Sequence, residues 1–137
     1  MNDIETEADV ALFVERFYAR VRQDTELGYI FDDVAHVNWP EHLPRITAFW
    51  STMLLNTGTY AGNPMRPHLD LALKTPLRPE HFDRWLLLFS QTLTDTFSGP
   101  RTNEARQRAH GIATVMQSRL YSNGLLVVDA AWPRDFF

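Results

Sequence analysis

Trp39-Pro-Glu-His-Leu-Pro-Arg-Ile-Thr-Ala-Phe-Trp50 is the stretch that decides the fold. Trp39, Leu43, Ile46, Trp50 and Met53 recur at helical spacing and form one apolar stripe. Pro40 falls in the first turn, where a missing N–H costs little. Pro44 follows close behind and predicts a distorted first turn. His42, Ile46, Phe49 and Met53 form an adjacent row, so His42 sits at the edge of the core-facing side. Asn56-Thr57-Gly58 ends the helix.

The flanking sequence keeps the same period. Upstream, Val10, Val14, Phe17, Tyr18 and Val21 predict an amphipathic helix over 6–23, with Thr6 as N-cap and Glu7 and Asp9 in the favourable first turn. A short helical turn is predicted over Glu26 to Phe31, and a loop from Asp32 to Asn38. Downstream, residues 57–67 carry Gly58, Gly62, Pro64 and Pro67 and are predicted as loop. His68 to Leu73 is at most a short helix. A third long helix begins near Pro79 and buries Phe82, Trp85, Leu86, Phe89 and Leu93; Gly99-Pro100 stops it. A fourth runs from about Thr102 to Tyr121, burying Ala105, Ala109, Ile112, Ala113, Met116 and Leu120, and Asn123-Gly124 ends it. Strict two-residue alternation is absent, which leaves little case for a sheet. The expectation is an all-α chain forming one domain over 1–137, with the apolar tail 125–137 unplaced.

Composition narrows the function. The chain has 137 residues, 45% hydrophobic, with 9 Phe, 4 Trp and 4 Tyr, a globular composition with an aromatic-rich core. The net charge is −4 and no basic stripe stands out, so no nucleic-acid partner is indicated. There is no cysteine, which excludes disulfides and fits a reducing cytosol. The acidic start lacks the pattern of a signal peptide, and no apolar run is long enough for a membrane span. A cytoplasmic protein is expected. Gly-x-Gly-x-x-Gly, Walker-type, Gly-x-Ser-x-Gly and His-Glu-x-x-His motifs are all missing.

Histidine is then the leading nitrogen ligand for any transition metal. His81 and His110 read as helix-surface residues. Asp32, Asp33 and His36 could form a small oxygen-and-nitrogen site, though such a cluster is more often a solvated turn. That leaves His42 on its long helix and His68 on a short element between prolines. A haem iron needs an axial ligand, for which a proximal His is common. His68 is the better candidate, with Leu69 and Leu71 beside it. His42, Ile46 and Phe49 would cover the opposite face. Tyr18 and Trp85 lie on core-facing sides of their helices and would need hydrogen-bond partners when buried. Each of these residues also fits a purely structural role. The joint arrangement over four helical segments is what favours a site.

The matching stretches are Phe17-Tyr18-x-x-Val21, Leu27-Gly-x-Ile-Phe31, Trp39-x-x-His-Leu43, Phe49-Trp50-x-x-Met-Leu54, Tyr60-x-Gly62-x-Pro64, His68-Leu69-x-Leu71 and His81-Phe-x-x-Trp-Leu-x-Leu-Phe89. Through them, from about Ala11 to Tyr121, the chain resembles the third group of truncated haemoglobins. The resemblance implies a two-over-two helical sandwich around one haem b. It implies His68 as proximal iron ligand and Tyr18 and Trp85 as distal hydrogen-bond donors. His42 would be a distal gate. Phe31 would wedge against the haem, and Trp50 would pack under the distal helix. Ile46, Phe49, Leu71 and Phe82 would line the haem. Arg45 matches a position that often reaches a haem propionate, and Arg66 is inferred from charge and position to assist. The paired-glycine motifs of other groups are absent here, as they are in the third group. Tyr29 stands where that group often has proline, which leaves the turn before Phe31 less rigid.

The implied function is binding of O2, NO, CO or similar small ligands, with a reductase to recycle the iron. Two donors would hold a partly negative O2 through bonds contributing about 1.5–3 kcal/mol each. Release would then be slow, which favours O2, NO or peroxide redox chemistry over oxygen transport. Two other classes compete. One is a cofactor-free helical binding module using its aromatic groove or tail. The other is a small non-haem metal enzyme using Asp33, His36 and His42.

Overall fold

A computed structural model of the chain describes residues 1–128. Five α-helices and one wide π-turn account for the described elements: α1 (Glu7–Gln23), the π-turn (Ile30–Val34), α2 (Trp39–Leu55), α3 (Met65–Ala72), α4 (Pro79–Thr96) and α5 (Pro100–Ser122). α1 packs on α2 and α4, while α5 packs on α4, α3 and α2. This is the two-over-two sandwich, with the core between the α1–α2 and α4–α5 layers. Phe17, Phe89, Leu93, Leu120, Val14 and Val21 are its fully buried large side chains.

α1 begins where its sequence predicts. The Thr6 hydroxyl accepts the Asp9 N–H at 3.2 Å, and the Asp9 carboxylate accepts the Thr6 N–H at 3.1 Å. Two donors that helix geometry leaves unpaired are thus satisfied reciprocally. Asp24 ends the helix and restarts the chain, its carboxylate accepting the N–H groups of Glu26 and Leu27, each at 3.1 Å. Gly28 then crosses so close to α1 that a Cβ there would lie 2.5 Å from the Arg22 carbonyl oxygen. Only glycine permits that approach.

Four expectations need correction. The segment Asp32 to Asn38 is not all loop: a π-turn continues to Val34, closed by the Ala35 N–H on the Ile30 carbonyl at 2.8 Å. α3 starts at Met65 rather than His68, because Pro67 occupies its first turn, where no N–H is required. Asn63 caps it by accepting the Met65 N–H at 3.0 Å. α5 starts at Pro100, so the proline that stops α4 also opens the next helix. On α4 the buried residues are Pro79, Leu88, Phe89, Thr92 and Leu93, whereas Phe82, Trp85 and Leu86 are only half-buried. Its C-terminal half meets α5, and its N-terminal half stands beside the open side of the sandwich.

The chain ends are tied to the fold at long range. The Asp3 carboxylate accepts the Arg101 N–H, the Thr102 N–H and the Thr102 hydroxyl at 2.9, 2.9 and 2.7 Å. A residue at one end of the sequence thereby caps the last helix. Gly99, at φ +149°, is required there, since a Cβ would meet Asp3 side-chain atoms at 2.5–2.8 Å. Of the tail, residues 125–128 are described, and Leu126 pairs with Leu77 in a single parallel bridge. Residues 129–137, including Trp132 and Phe137, lie outside the described residues. Among the described residues no helix is long and apolar enough to cross a membrane.

Candidate functional site

The half-buried apolar residues are not scattered. Phe31, Trp39, Leu43, Ile46, Phe49, Leu69, Leu71, Phe82, Trp85 and Leu86 all pack on the core yet keep part of their surface exposed. They come from the π-turn, α2, α3 and the first half of α4. These elements thus carry partly exposed apolar side chains packed against the core, and Met53, Leu55, Ala72 and Ile112 are placed likewise.

His68 projects from α3, half-buried. Its Nδ1 lies 2.7 Å from the Pro64 carbonyl oxygen. A carbonyl can only accept, so Nδ1 carries the proton. Burial lowers the pKa of His68 below the ordinary 6.5, against the raising effect of the Pro64 bond, so the ring is neutral at pH 7. A neutral imidazole with Nδ1–H has a lone pair on Nε2, the form a metal ligand requires. Pro64, which carries the acceptor, is the N-cap of α3, and Pro67 lies in its first turn.

His42 occupies α2, one turn beyond Trp39. Its Nε2 is buried and has no hydrogen-bond partner. Burial lowers its pKa, and the charges of Arg45 and His68 lower it further. The His42 ring stands edge-on to Tyr18 at 5.7 Å (interplanar angle 83°) and to Trp39 at 5.5 Å (87°). Tyr18 is 6% exposed and also meets Phe31 at 5.9 Å and Trp39 at 5.6 Å. Burial pushes the Tyr18 phenol up to about 12, partly offset by the Trp85 indole N–H acting on its oxygen. The phenol therefore stays protonated, and its own O–H remains available to donate. Phe17 links the two, in contact with Tyr18 at 4.8 Å and Trp85 at 5.2 Å.

The structure thus gathers Tyr18, Phe31, His42 and Trp85 around one aromatic cluster. Ile46, Phe49, Leu71 and Phe82 are half-buried and pack against the core. Trp50 is 4% exposed and sits in the core, against Phe49 at 5.3 Å and Phe89 at 5.1 Å. Arg45 and Arg66 are exposed, with no ion pair among the described residues. Trp39 belongs to the cluster although sequence reasoning assigned it only to the helix stripe. Its spacing of three from His42 was the available signal. Tyr60, 5.2 Å from Phe49, was missed as well, because it reaches the site from a loop.

The alternative metal cluster does not form. Among the described residues no three His, Asp or Glu side chains converge to hold an ion. Asp32 is engaged by Trp39 and Arg22, and His36 is exposed at a positive φ of 50°. His81 is also more than a surface residue. Its Nδ1 accepts the Arg78 N–H at 3.0 Å and caps α4. A polar groove of about 680 Å³ between α1 and α4, lined by Arg20, Gln23, Asp24, Gln91 and Asp95, contains none of the cluster.

The chain is 39% identical over 118 residues to the group 3 truncated hemoglobin ctb of Campylobacter jejuni, a match covering 84% of this chain and 91% of that protein. It belongs to the group III truncated haemoglobins. A crystal structure of the group III truncated hemoglobin from Campylobacter jejuni agrees, with a TM-score of 0.78 at 36% identity, covering 88% of this chain and 96% of the other. No family model matches the sequence. For this truncated haemoglobin, family membership implies haem binding. The neutral His68 presents an unprotonated Nε2, and the His42 Nε2 is buried without a partner.

Proposed function

We propose that this globin holds haem b through His68 and binds O2 and related diatomic ligands on the His42 side. The observation that carries the reading is the state of two half-buried histidines, His68 and His42. His68 is fixed as the Nδ1–H form by the Pro64 carbonyl, and His42 is buried with Nε2 unpaired. When bound, the haem supplies a redox-active iron with one position for an exogenous ligand. The protein's own part is orientation and hydrogen bonding. Pro64 sets the His68 ring. Tyr18 would donate its O–H toward a partly negative ligand, and Trp85 would donate its indole N–H beside it. His42 gates access. Phe31, Ile46, Phe49, Leu71 and Phe82 exclude water from the haem faces, and Trp50 backs Phe49. Arg45, and Arg66 by charge and position, would pair with the propionates.

Strong distal donation slows ligand release, which favours O2, NO or peroxide chemistry over oxygen transport. Such chemistry needs a cytoplasmic reductase, which the cysteine-free composition suits. The visible spectrum of the haem-reconstituted protein tests the reading. A Soret band that shifts on reduction and again with CO is expected. His68→Ala should abolish tight iron ligation. No Soret band after reconstitution defeats the proposal.

A further inference from the structure

The charged group nearest this cluster is one the ligand chemistry leaves unused. Asp32 lies on the π-turn, and its Oδ1 accepts the Trp39 Nε1–H at 2.9 Å. Arg22 of α1 approaches the same carboxylate at 3.3 Å, and its guanidinium carbon lies 4.7 Å from the centre of a Trp39 ring. Trp39 is therefore held twice, at its indole N–H by a carboxylate and over its face by a cation. The Asp32–Arg22 pair alone is an exposed ion pair that contributes little to stability. Its consequence is geometric. Trp39 precedes His42 by one helical turn, and its ring meets the imidazole edge-on at 5.5 Å. Tyr18 meets the same imidazole at 5.7 Å.

A buried imidazole nitrogen with no partner is unfavourable, and solvent would satisfy His42 Nε2 if the ring turned outward. Something must hold the ring inward, and the two aromatic edges do so. Tyr18 is fixed by the core. Trp39, half-buried at the start of α2, has ring contacts with Tyr18 and Phe31, but its indole N–H and outer face are held by Asp32 and Arg22. We infer that Asp32 is a positioning residue for His42, acting through Trp39, so that the Arg22–Asp32–Trp39 contact latches the distal gate closed. The inference rests on the reading of His42 as that gate.

Asp32→Ala and Trp39→Phe should each shift the His42 imidazole resonances in the NMR spectrum of the cofactor-free protein. In the haem-loaded protein each should speed CO association by on the order of tenfold, the scale of one lost hydrogen bond to a charged group. The double variant should be no faster than either single one, because both break the same contact. Asp32→Asn keeps an acceptor for the indole N–H and should restore slow association. Unchanged His42 resonances in Asp32→Ala overturn the inference, as do additive effects of the two substitutions or an Asp32→Asn variant as fast as Asp32→Ala. If the protein takes up no haem, the haem reading fails on its Soret band, and the His42 resonances still decide the role of Asp32.

Discussion

Tyr18 shows how far a single residue's role depends on its surroundings. In sequence it is one more aromatic on an amphipathic stripe. In the structure burial raises its phenol to about 12, which keeps the O–H protonated and able to donate. Tyr18→Phe keeps the ring contacts with Phe17 and His42 and removes the donor. O2 dissociation from the haem-loaded protein should then speed by roughly tenfold or more, the equivalent of one hydrogen bond to a charged acceptor. Stopped-flow displacement by CO measures this, and an unchanged rate removes Tyr18 from the clamp. His68 stood out at this scale, because it follows Pro64 and Pro67 and adjoins Leu69 and Leu71. Its tautomer was not legible, since that follows from a carbonyl oxygen placed 2.7 Å from Nδ1. Trp39 was legible as apolar and helical, but not as a contact of His42, Asp32 and Arg22.

Helices, once placed, depend on their ends. The cap of α1 was readable because both partners lie within three residues of each other. The cap of α5 was not, because Asp3 supplies it from 98 and 99 positions away. Asp3→Ala leaves the Arg101 and Thr102 N–H groups without that acceptor and should destabilise the protein by about 1–2 kcal/mol in urea unfolding. A wild-type midpoint would contradict the cap. α4 carries a pH-sensitive end. His81 accepts the Arg78 N–H only when neutral, and its pKa lies below 6.5, chiefly through burial. The unfolded chain binds the proton more readily, so stability rises with pH across this window. The contribution is complete above about 6.5, the ordinary histidine value, and is lost as pH falls toward the depressed folded value. His81→Gln supplies an acceptor that does not titrate there. It should flatten the His81 part of the stability change between pH 7 and 5, measured as urea midpoints, and an unaltered slope would count against the cap.

In the whole molecule, the two-over-two packing leaves many apolar side chains half-buried at the edge of the core. A ligand that packs against them binds the folded state alone and stabilises it. Stoichiometric loading with excess haem at a hundred times Kd corresponds to about 2.7 kcal/mol. Thermal unfolding should therefore move up by several degrees on haem loading, and the rise should shrink in His68→Ala. A melting temperature indifferent to haem would favour the cofactor-free binding module instead.

The sequence by itself determined the helical class, the four long helices, the position of His68 and the family resemblance. Each of these rests on local spacing: apolar residues recur every three or four positions, and prolines and glycines punctuate them. Helix starts at Met65 and Pro100 were misjudged, because proline in a first turn carries the same local signal as proline in a loop. Only the tertiary structure decided which aromatics are core and which are wall. Phe89 and Trp85 share one stripe of α4 and stack at 5.1 Å, yet Phe89 is buried while Trp85 keeps an exposed surface. The difference is made by what lies opposite, and a helical period carries no information about that. The same holds for the Asp3 cap, the His68 tautomer and the Arg22–Asp32–Trp39 contact. Each depends on an atom that chain folding, rather than sequence proximity, brings within hydrogen-bond reach.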